Sequence, residues 1–431
     1  MVWAMTKARK SDRGTGNPAS TATLGTRADV LIVGGGMVGL SLAAALGGAG
    51  LDVAVIDRED PGAAVAAAYD GRASAISFGS RRVLETAGVW RGMADAAEPI
   101  LDIRVSDGAS PLFLHFDHLE VGEEPLGHIV ENRATRLALY DRVGRIPRVT
   151  LHAPGELASL ETTAGAVEAT LGDGSRITAP LVVAADGRNS MLRRRAGIAV
   201  TTWSYKQTGI VCTMGHERPH RGIAHERFLP SGPFAVLPMT DDPKEGHRSS
   251  IVWTERDALV PAMMALDDEQ FAAELAQRFG PWLGPVRVLG RRWSYPLSLL
   301  NAERYIGDRL ALVGDAAHAM HPIAGQGLNL GIRDVAALAE VLVDARRLGL
   351  DLGSASVLEN YQRWRRVDAV TLLAATDVLN RLFSNDIAPV RLARDVGLAA
   401  VNRIAPARRF FMRHAMGVFG DLPRMIRGEE L

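Results

Sequence analysis

Residues 28–57 constrain the fold more than any other stretch of the chain. Asp29-Val-Leu-Ile-Val33 reads as a short buried strand, and Val53-Ala-Val-Ile-Asp57 as a second. Between them lie Gly34-Gly35-Gly36-Met37-Val38-Gly39 and a run rich in Ala and Leu. Strand, GxGxxG, helix, strand, acid is the pattern of a dinucleotide-binding βαβ unit. Asp57 falls 18 residues after Gly39 (57 − 39), close to the spacing of about 20 that such a unit requires. In that reading Gly34 makes the turn, Gly36 lets a pyrophosphate approach the backbone, and Gly39 lets helix and strand pack closely. Asp57 accepts from the adenosine ribose. A tight strand-to-helix turn with no ligand is the bland alternative.

Two further apolar strands end in acid-containing turns. Leu181-Val-Val-Ala-Ala-Asp186-Gly187-Arg188 is one, and Arg309-Leu-Ala-Leu-Val-Gly314-Asp315-Ala316-Ala317-His318 the other. Both deliver an Asp to a strand's carboxyl end, where open parallel sheets bind ligands. For each Asp taken singly, capping of the next helix or turn is the simpler reading. Then comes His321-Pro322-Ile323-Ala324-Gly325-Gln326-Gly327-Leu328-Asn329. His-Pro forbids helix locally. Gly325 and Gly327 allow close backbone approach, and an amphipathic helix follows over about Leu328–Leu348. The free N–H groups and positive dipole end of that helix suit it to hold negative charge.

The order GxGxxG, ADG, GDAAH, HPxAGQG resembles the FAD-dependent hydroxylases of ubiquinone biosynthesis, of the 2-polyprenylphenol and 2-octaprenyl-6-methoxyphenol type. These sit within the single-component flavin aromatic hydroxylases similar to p-hydroxybenzoate hydroxylase. The resemblance covers nearly all of the chain after residue 28. It implies that Asp315, with Gly314, holds the ribityl chain of FAD. Asp186-Gly187 lies near the dinucleotide, and Arg72, in Asp70-Gly71-Arg72, near the pyrophosphate. It also implies that Gly325, Gln326, Gly327, Leu328 and Asn329 meet the flavin, with Pro322 bordering its reacting edge and His321 shaping that loop. NADPH or NADH reduces the flavin and docks transiently, because no second GxGxxG follows a strand. Oxygen then reaches an electron-rich phenol through a flavin C4a-hydroperoxide. Gly127-His128-Ile129-Val130-Glu131-Asn132-Arg133 also matches the family. None of these motifs names a base for the phenol.

Composition narrows the alternatives. Acidic and basic residues balance, 49 against 49, which offers nucleic acid no attraction. Cys212 is the only cysteine, so an internal disulfide, a thiolate zinc cluster and a redox CxxC pair are excluded. No zinc-spaced cluster or nucleophile elbow occurs, and no metal site is expected; the chemistry falls to a cofactor. No run reaches the roughly 18 apolar residues of a membrane span. The WxWxIP motif of flavin halogenases is absent. An NAD-dependent dehydrogenase would leave the three later motifs unused. A non-catalytic flavin-fold scaffold of a quinone-biosynthesis complex would keep them.

The fold class expected is α/β with α+β elements: a Rossmann-type FAD-binding domain over 28–197 and 301–350, an antiparallel-sheet substrate domain over 198–300, and a helical region over 351–431. Residues 1–27 read as a leader, with Asp12 their only acid and no apolar centre for a secretory signal. Low acidity is compatible with a mitochondrial transit peptide. Ile387–Gly420 carries Arg391, Arg394, Arg403, Arg408, Arg409 and Arg413 against Asp395, a balance of +5 (6 − 1), interleaved with Phe410, Phe411 and Phe419. Such helices suit an anionic membrane surface or a partner protein of quinone biosynthesis. The expected setting is therefore cytoplasmic and peripheral at the inner membrane, or the mitochondrial matrix side. The expected substrate is a prenylated phenol, with O2.

Overall fold

The computed structural model describes residues 25–66, 72–108, 110, 113–321, 323–385, 394, 397 and 400–431. Its first layer is a six-stranded sheet in which Val30–Val33 lies between Leu181–Ala184 and Val53–Ile56, paired in parallel with both. Leu310–Leu312 extends it in parallel beyond Leu181–Ala184, and Val149–His152 beyond Val53–Ile56. Every residue of the Val30–Val33, Val53–Ile56 and Leu181–Ala184 strands is buried. That explains why these strands read as continuous apolar runs: the Met37–Gly48 helix packs on them, and Leu160, Val167, Ala169 and Ile177 of a four-stranded sheet join the same core. The motif acids Asp57, Asp186 and Asp315 therefore emerge at one edge of one sheet.

The second layer is an eight-stranded sheet. Val200–His216, Ile223–Leu229, Gly232–Asp242, Gly246–Arg256 and Val286–Ala302 pair antiparallel, as the broken apolar pattern of 198–300 leads one to expect. Asp102–Asp107 and Phe113–Asp117 also join it, the first by a parallel pairing with Ile223–Leu229. His318–Ala319, paired antiparallel with the end of Val286–Ala302, is the eighth strand. Of the expected leader, residues 1–24 lie outside the described residues. Thr26–Arg27 instead pair in parallel with Arg176–Ala179 in a separate four-stranded sheet.

The Gln326–Arg347 helix starts two residues before the periodic stretch, at the left-handed turn of Gly325 (φ +61°). It packs on the 29-residue Ala355–Phe383 helix. Between them lies a buried cluster of charge. Asp334, with no exposed surface, accepts from Arg365 Nε at 2.8 Å, His318 Nε2 at 2.8 Å and the Gly314 N–H at 2.9 Å. Asp368 completes it by pairing with Arg365 and with Arg333.

The C-terminal basic segment behaves differently from an evenly exposed surface. Ile387, Val390, Arg391, Asp395 and Leu398 lie outside the described residues. Arg394 is buried, its Nε 2.8 Å from Asp107, and Arg408 donates to Glu120 at 2.8 Å. Each guanidinium meets an acid of another segment, so these two arginines tie the region to the body and cannot serve a surface. Arg403, Arg409 and Arg413 are exposed, as are Phe410, Phe411 and Phe419.

Burial raises the carboxyl of Asp334, but the attraction of His318 and Arg365 outweighs it and leaves the group below its ordinary value. Asp368 follows the same balance, with Arg365 and Arg333 bringing it to about 2. Depressed carboxylates contribute stability above their unfolded value, near 4, and lose it as pH falls through the folded one. Urea melts should therefore show stability draining between about pH 4 and pH 2. Asp334→Ala, which strands the Arg365 charge in the interior, should cost about 3–5 kcal/mol at neutral pH.

Candidate flavin and substrate site

The glycine turn after Val33 has little choice of residue. Gly34 sits at φ +111°, and a Cβ there would lie 2.2 Å from the Ala185 carbonyl oxygen. At Gly39 a Cβ would lie 1.9 Å from the Gly34 oxygen. Both contacts are backbone and cannot yield. Gly36 is the opposite case: a Cβ would meet nothing within 4 Å. It caps the Met37–Gly48 helix with no side-chain cap, so the first-turn N–H groups face open space. Asp57 is already engaged, taking the Gly35 N–H on one oxygen and the Glu59 N–H at 2.7 Å on the other. In this geometry it shapes the glycine loop, and only its remaining lone pairs are available to a ribose.

The two later acids divide. Asp186 caps: its Oδ2 accepts the Met191 N–H at 2.7 Å, at the start of Met191–Arg195. Its Oδ1 is buried with no hydrogen-bond partner. Gly187 follows at φ +79°. Asp315 caps nothing and makes no hydrogen bond among the described residues. Its side chain is exposed, yet so ringed by protein that burial raises its carboxyl. That combination marks a group facing an internal space. Gly314 turns the chain at φ +58°, its N–H held by Asp334. Arg193 was not legible as a site residue. Its guanidinium joins the two turns by donating to Arg188 O and Ala316 O, both at 2.8 Å.

The loop before the long helix is fastened from within. Asn329 accepts the Ser77 N–H at 2.9 Å and donates to Ala75 O at 2.9 Å and Gly325 O at 3.1 Å. Its amide is a clamp between the loop and the Ala73–Ser77 strand. Gln326 donates to Ala415 O at 3.3 Å, Leu328 is half-buried, and Gly327 faces open space. Pro322, Asp70 and Gly71 lie outside the described residues. His321 is fully buried, with neither ring nitrogen partnered among the described residues, edge-on to Tyr205 at 5.1 Å. Burial lowers it to about 4, so it is neutral at physiological pH. Arg72 lies over the Trp293 ring, 5.6 Å from its centroid.

These residues fit a flavin dinucleotide. Two helix N-termini, at Gly36 and Gly325, carry no side-chain cap. One buried carboxylate oxygen and one whole carboxylate lack partners at the same sheet edge. Residues 27–376 match the FAD binding domain family. Ubiquinone hydroxylase UbiL of Rhodospirillum rubrum is 56% identical over 407 residues, 94% of each chain. The 3-demethoxyubiquinol 3-hydroxylase of Escherichia coli is 37% identical, covering 90% of this chain and 98% of its own. The chain belongs to the FAD-dependent hydroxylases of ubiquinone biosynthesis.

The human mitochondrial ubiquinone biosynthesis monooxygenase COQ6 is 33% identical over 92% of this chain and 94% of its own. The p-nitrophenol 4-monooxygenase PnpA of Pseudomonas putida shares the fold, with a TM-score of 0.76, 20% identity and coverage of 92% and 99%. The chain is an FAD-dependent monooxygenase. The dehydrogenase alternative falls, since the match runs through the later motifs as well as the first βαβ unit.

A ligand-facing Asp315 and a capping Asp315 predict different variants. Asp315→Ala should weaken FAD binding about tenfold to a hundredfold, the loss of charge-assisted hydrogen bonds of about 1.5–3 kcal/mol. A carboxyl raised on folding opposes stability at neutral pH. The variant apoprotein should therefore melt no lower than wild type, as paired calorimetry and flavin titration would show. A lower melting temperature with unchanged FAD affinity would reverse the assignment.

Proposed function

We propose that the chain hydroxylates the aromatic ring of a prenylated phenol, with NADPH or NADH as reductant and O2 as oxidant. The observation that carries this is the unpartnered Asp315 carboxylate, set beside the uncapped N-terminus of the Gln326–Arg347 helix in a chain 56% identical to a ubiquinone hydroxylase. Bound FAD supplies reduction by the nicotinamide and transfer of one oxygen atom.

The chain's own residues do the rest. The helix end at Gly36 would receive the pyrophosphate, and Arg72 would support it. Asp315 orients the ribityl hydroxyls, with Asp186 Oδ1 offering a second acceptor. The N-terminus behind Gly325 and Gly327 stabilises negative charge on the ring system, by N–H groups fixed before the reaction. Burial favours the neutral form of His321, and its ring has no hydrogen-bond partner among the described residues, so the role given to it is to shape the loop. The largely apolar inner face of the eight-stranded sheet keeps water from the reacting atoms.

A long isoprenoid tail holds such a substrate in a bilayer. No helix among the described residues is long and apolar enough to cross a membrane. The surface proposed to meet it is the Ala405–Ala415 helix and its flanks. Phe410, Phe411 and Phe419 expose 46%, 47% and 51% of their surface, and Arg403, Arg409 and Arg413 stand among them. Aromatic rings ringed by arginine suit an anionic headgroup layer.

The holoenzyme should oxidise NADPH or NADH faster when a short-tailed prenylphenol is present, and mass spectrometry should find that phenol one oxygen heavier. Oxidation indifferent to the phenol, with no product, would favour the scaffold. The holoenzyme should also bind anionic vesicles, less so at high salt. Arg403, Arg409 and Arg413 changed together to Glu should abolish vesicle binding and leave FAD in place. Equal binding by both proteins would remove the membrane role and favour delivery by a partner protein.

A further inference from the structure

The eight-stranded sheet presents one face to the helix carrying Phe279 and Leu275, and the other toward the His321 loop. Ala224, Glu226 and Phe228 alternate on the second face of Ile223–Leu229. Ala224 and Phe228 belong to the apolar cluster that contains Ile323 of the loop, Phe383 and Met412. Glu226 lies between them in the strand. Its register neighbours are Val105 and Ala235, so the strands on either side offer it no polar side chain. It has no hydrogen-bond or ion-pair partner among the described residues. The side chain is only half-buried, yet burial among protein pushes its carboxyl up to about 7.

An unpaired carboxyl on an apolar face costs free energy unless something meets it. The surface beside it is ready to receive a ring. A cavity opens between Ile103 and Phe116 of the sheet and Gln326, Met412 and Met416 opposite. Ile103 is the register partner of Ala224, one step along the face from Glu226. A second orphan lies on the same face: Ser250 pairs in register with Leu237, which packs on the same cluster, and its Oγ is buried without a partner. The face therefore combines an apolar floor with two unmet polar groups.

We propose that Glu226 is a substrate-binding residue that hydrogen-bonds the ring hydroxyl of the phenol and so fixes which edge of the ring faces the flavin. The assignment rests on the phenol hydroxylase reading above. Near neutral pH the carboxyl exists in both protonation states, so it can accept from the hydroxyl or donate to it. Glutamine, which does both, should replace it; an apolar side chain of similar size should not.

The test uses FAD-loaded enzyme, 2-prenylphenol and the methyl ether of 2-prenylphenol, with binding read from the perturbed flavin absorbance. Glu226→Leu should weaken binding of the phenol tenfold or more, the loss expected when a site built for a hydroxyl loses its partner. It should leave the ether within about threefold, and FAD affinity unchanged. Glu226→Gln should bind the phenol within about threefold of wild type. The anchor is overturned if wild type and Glu226→Leu bind the phenol alike. It is equally overturned if Glu226→Leu loses phenol and ether in the same proportion, which would mean that Glu226 only shapes the space. If loaded wild type binds neither compound, the phenol reading itself falls, and the anchor with it.

Discussion

The carboxylate of Asp334 holds together the parts on which the flavin site depends. It belongs to the long helix behind the His321 loop, and it fixes the backbone N–H of Gly314 and the ring of His318 at the end of a sheet strand. The same group faces Arg365 from the next helix. Three segments up to 51 residues apart (365 − 314) therefore meet at one buried charge. Removing such a charge from water is expensive, and several hydrogen bonds to it are needed to offset that. Because Gly314 is pinned, Asp315 is carried to the sheet edge with its own side chain uncommitted.

That contrast between committed and free carboxylates organises the site. Asp57 is engaged by two backbone N–H groups, and Asp186 by the start of a short helix. Asp334 is claimed by Arg365, the His318 ring and the Gly314 N–H. Asp315 and Glu226 alone of this set have no partner among the described residues, and burial raises both. Internal polar groups are rarely left unmet in a folded chain. For each of these two carboxyls, the simplest physical account is a ligand that brings it a hydroxyl group.

Much of the fold was legible because its signals are local. The buried strands, the glycine turn and the switch to broken β-pattern near Ile198 each depend on neighbours within a few residues. The strands that end in Asp57, Asp186 and Asp315 were legible for the same reason, and they emerge at one edge of the sheet. Long-range pairing left no such mark. Asp102–Asp107 joins the sheet of Ile223–Leu229 through a contact that no periodicity announces. Asn329 carries the motif residue of the loop, yet its amide clamps Ser77, 252 positions away. Arg394 and Arg408 look like members of a basic surface until Asp107 and Glu120 are seen beside them. Side-chain chemistry was readable; which partner would claim it was not.

Glu226 shows why the polar part of the substrate face was also hidden. In sequence, Ala224-His-Glu-Arg-Phe228 belongs to the broken β-pattern of 198–300, but three polar residues in a row do not say which side of a sheet each will meet. The strand separates them. His225 turns to Trp282 and Arg227 to the carbonyl of Arg278 on one side of the sheet, while Glu226 turns to the other. Alternation thus places a single acid on a largely apolar surface. An electron-rich ring needs that kind of setting: dry enough to protect the reacting flavin, with a hydrogen-bond partner to set the orientation. A wholly apolar face would let the ring rotate, and a polar one would admit water. One carboxyl among apolar neighbours meets both requirements, and the pleat of the strand is what puts it there.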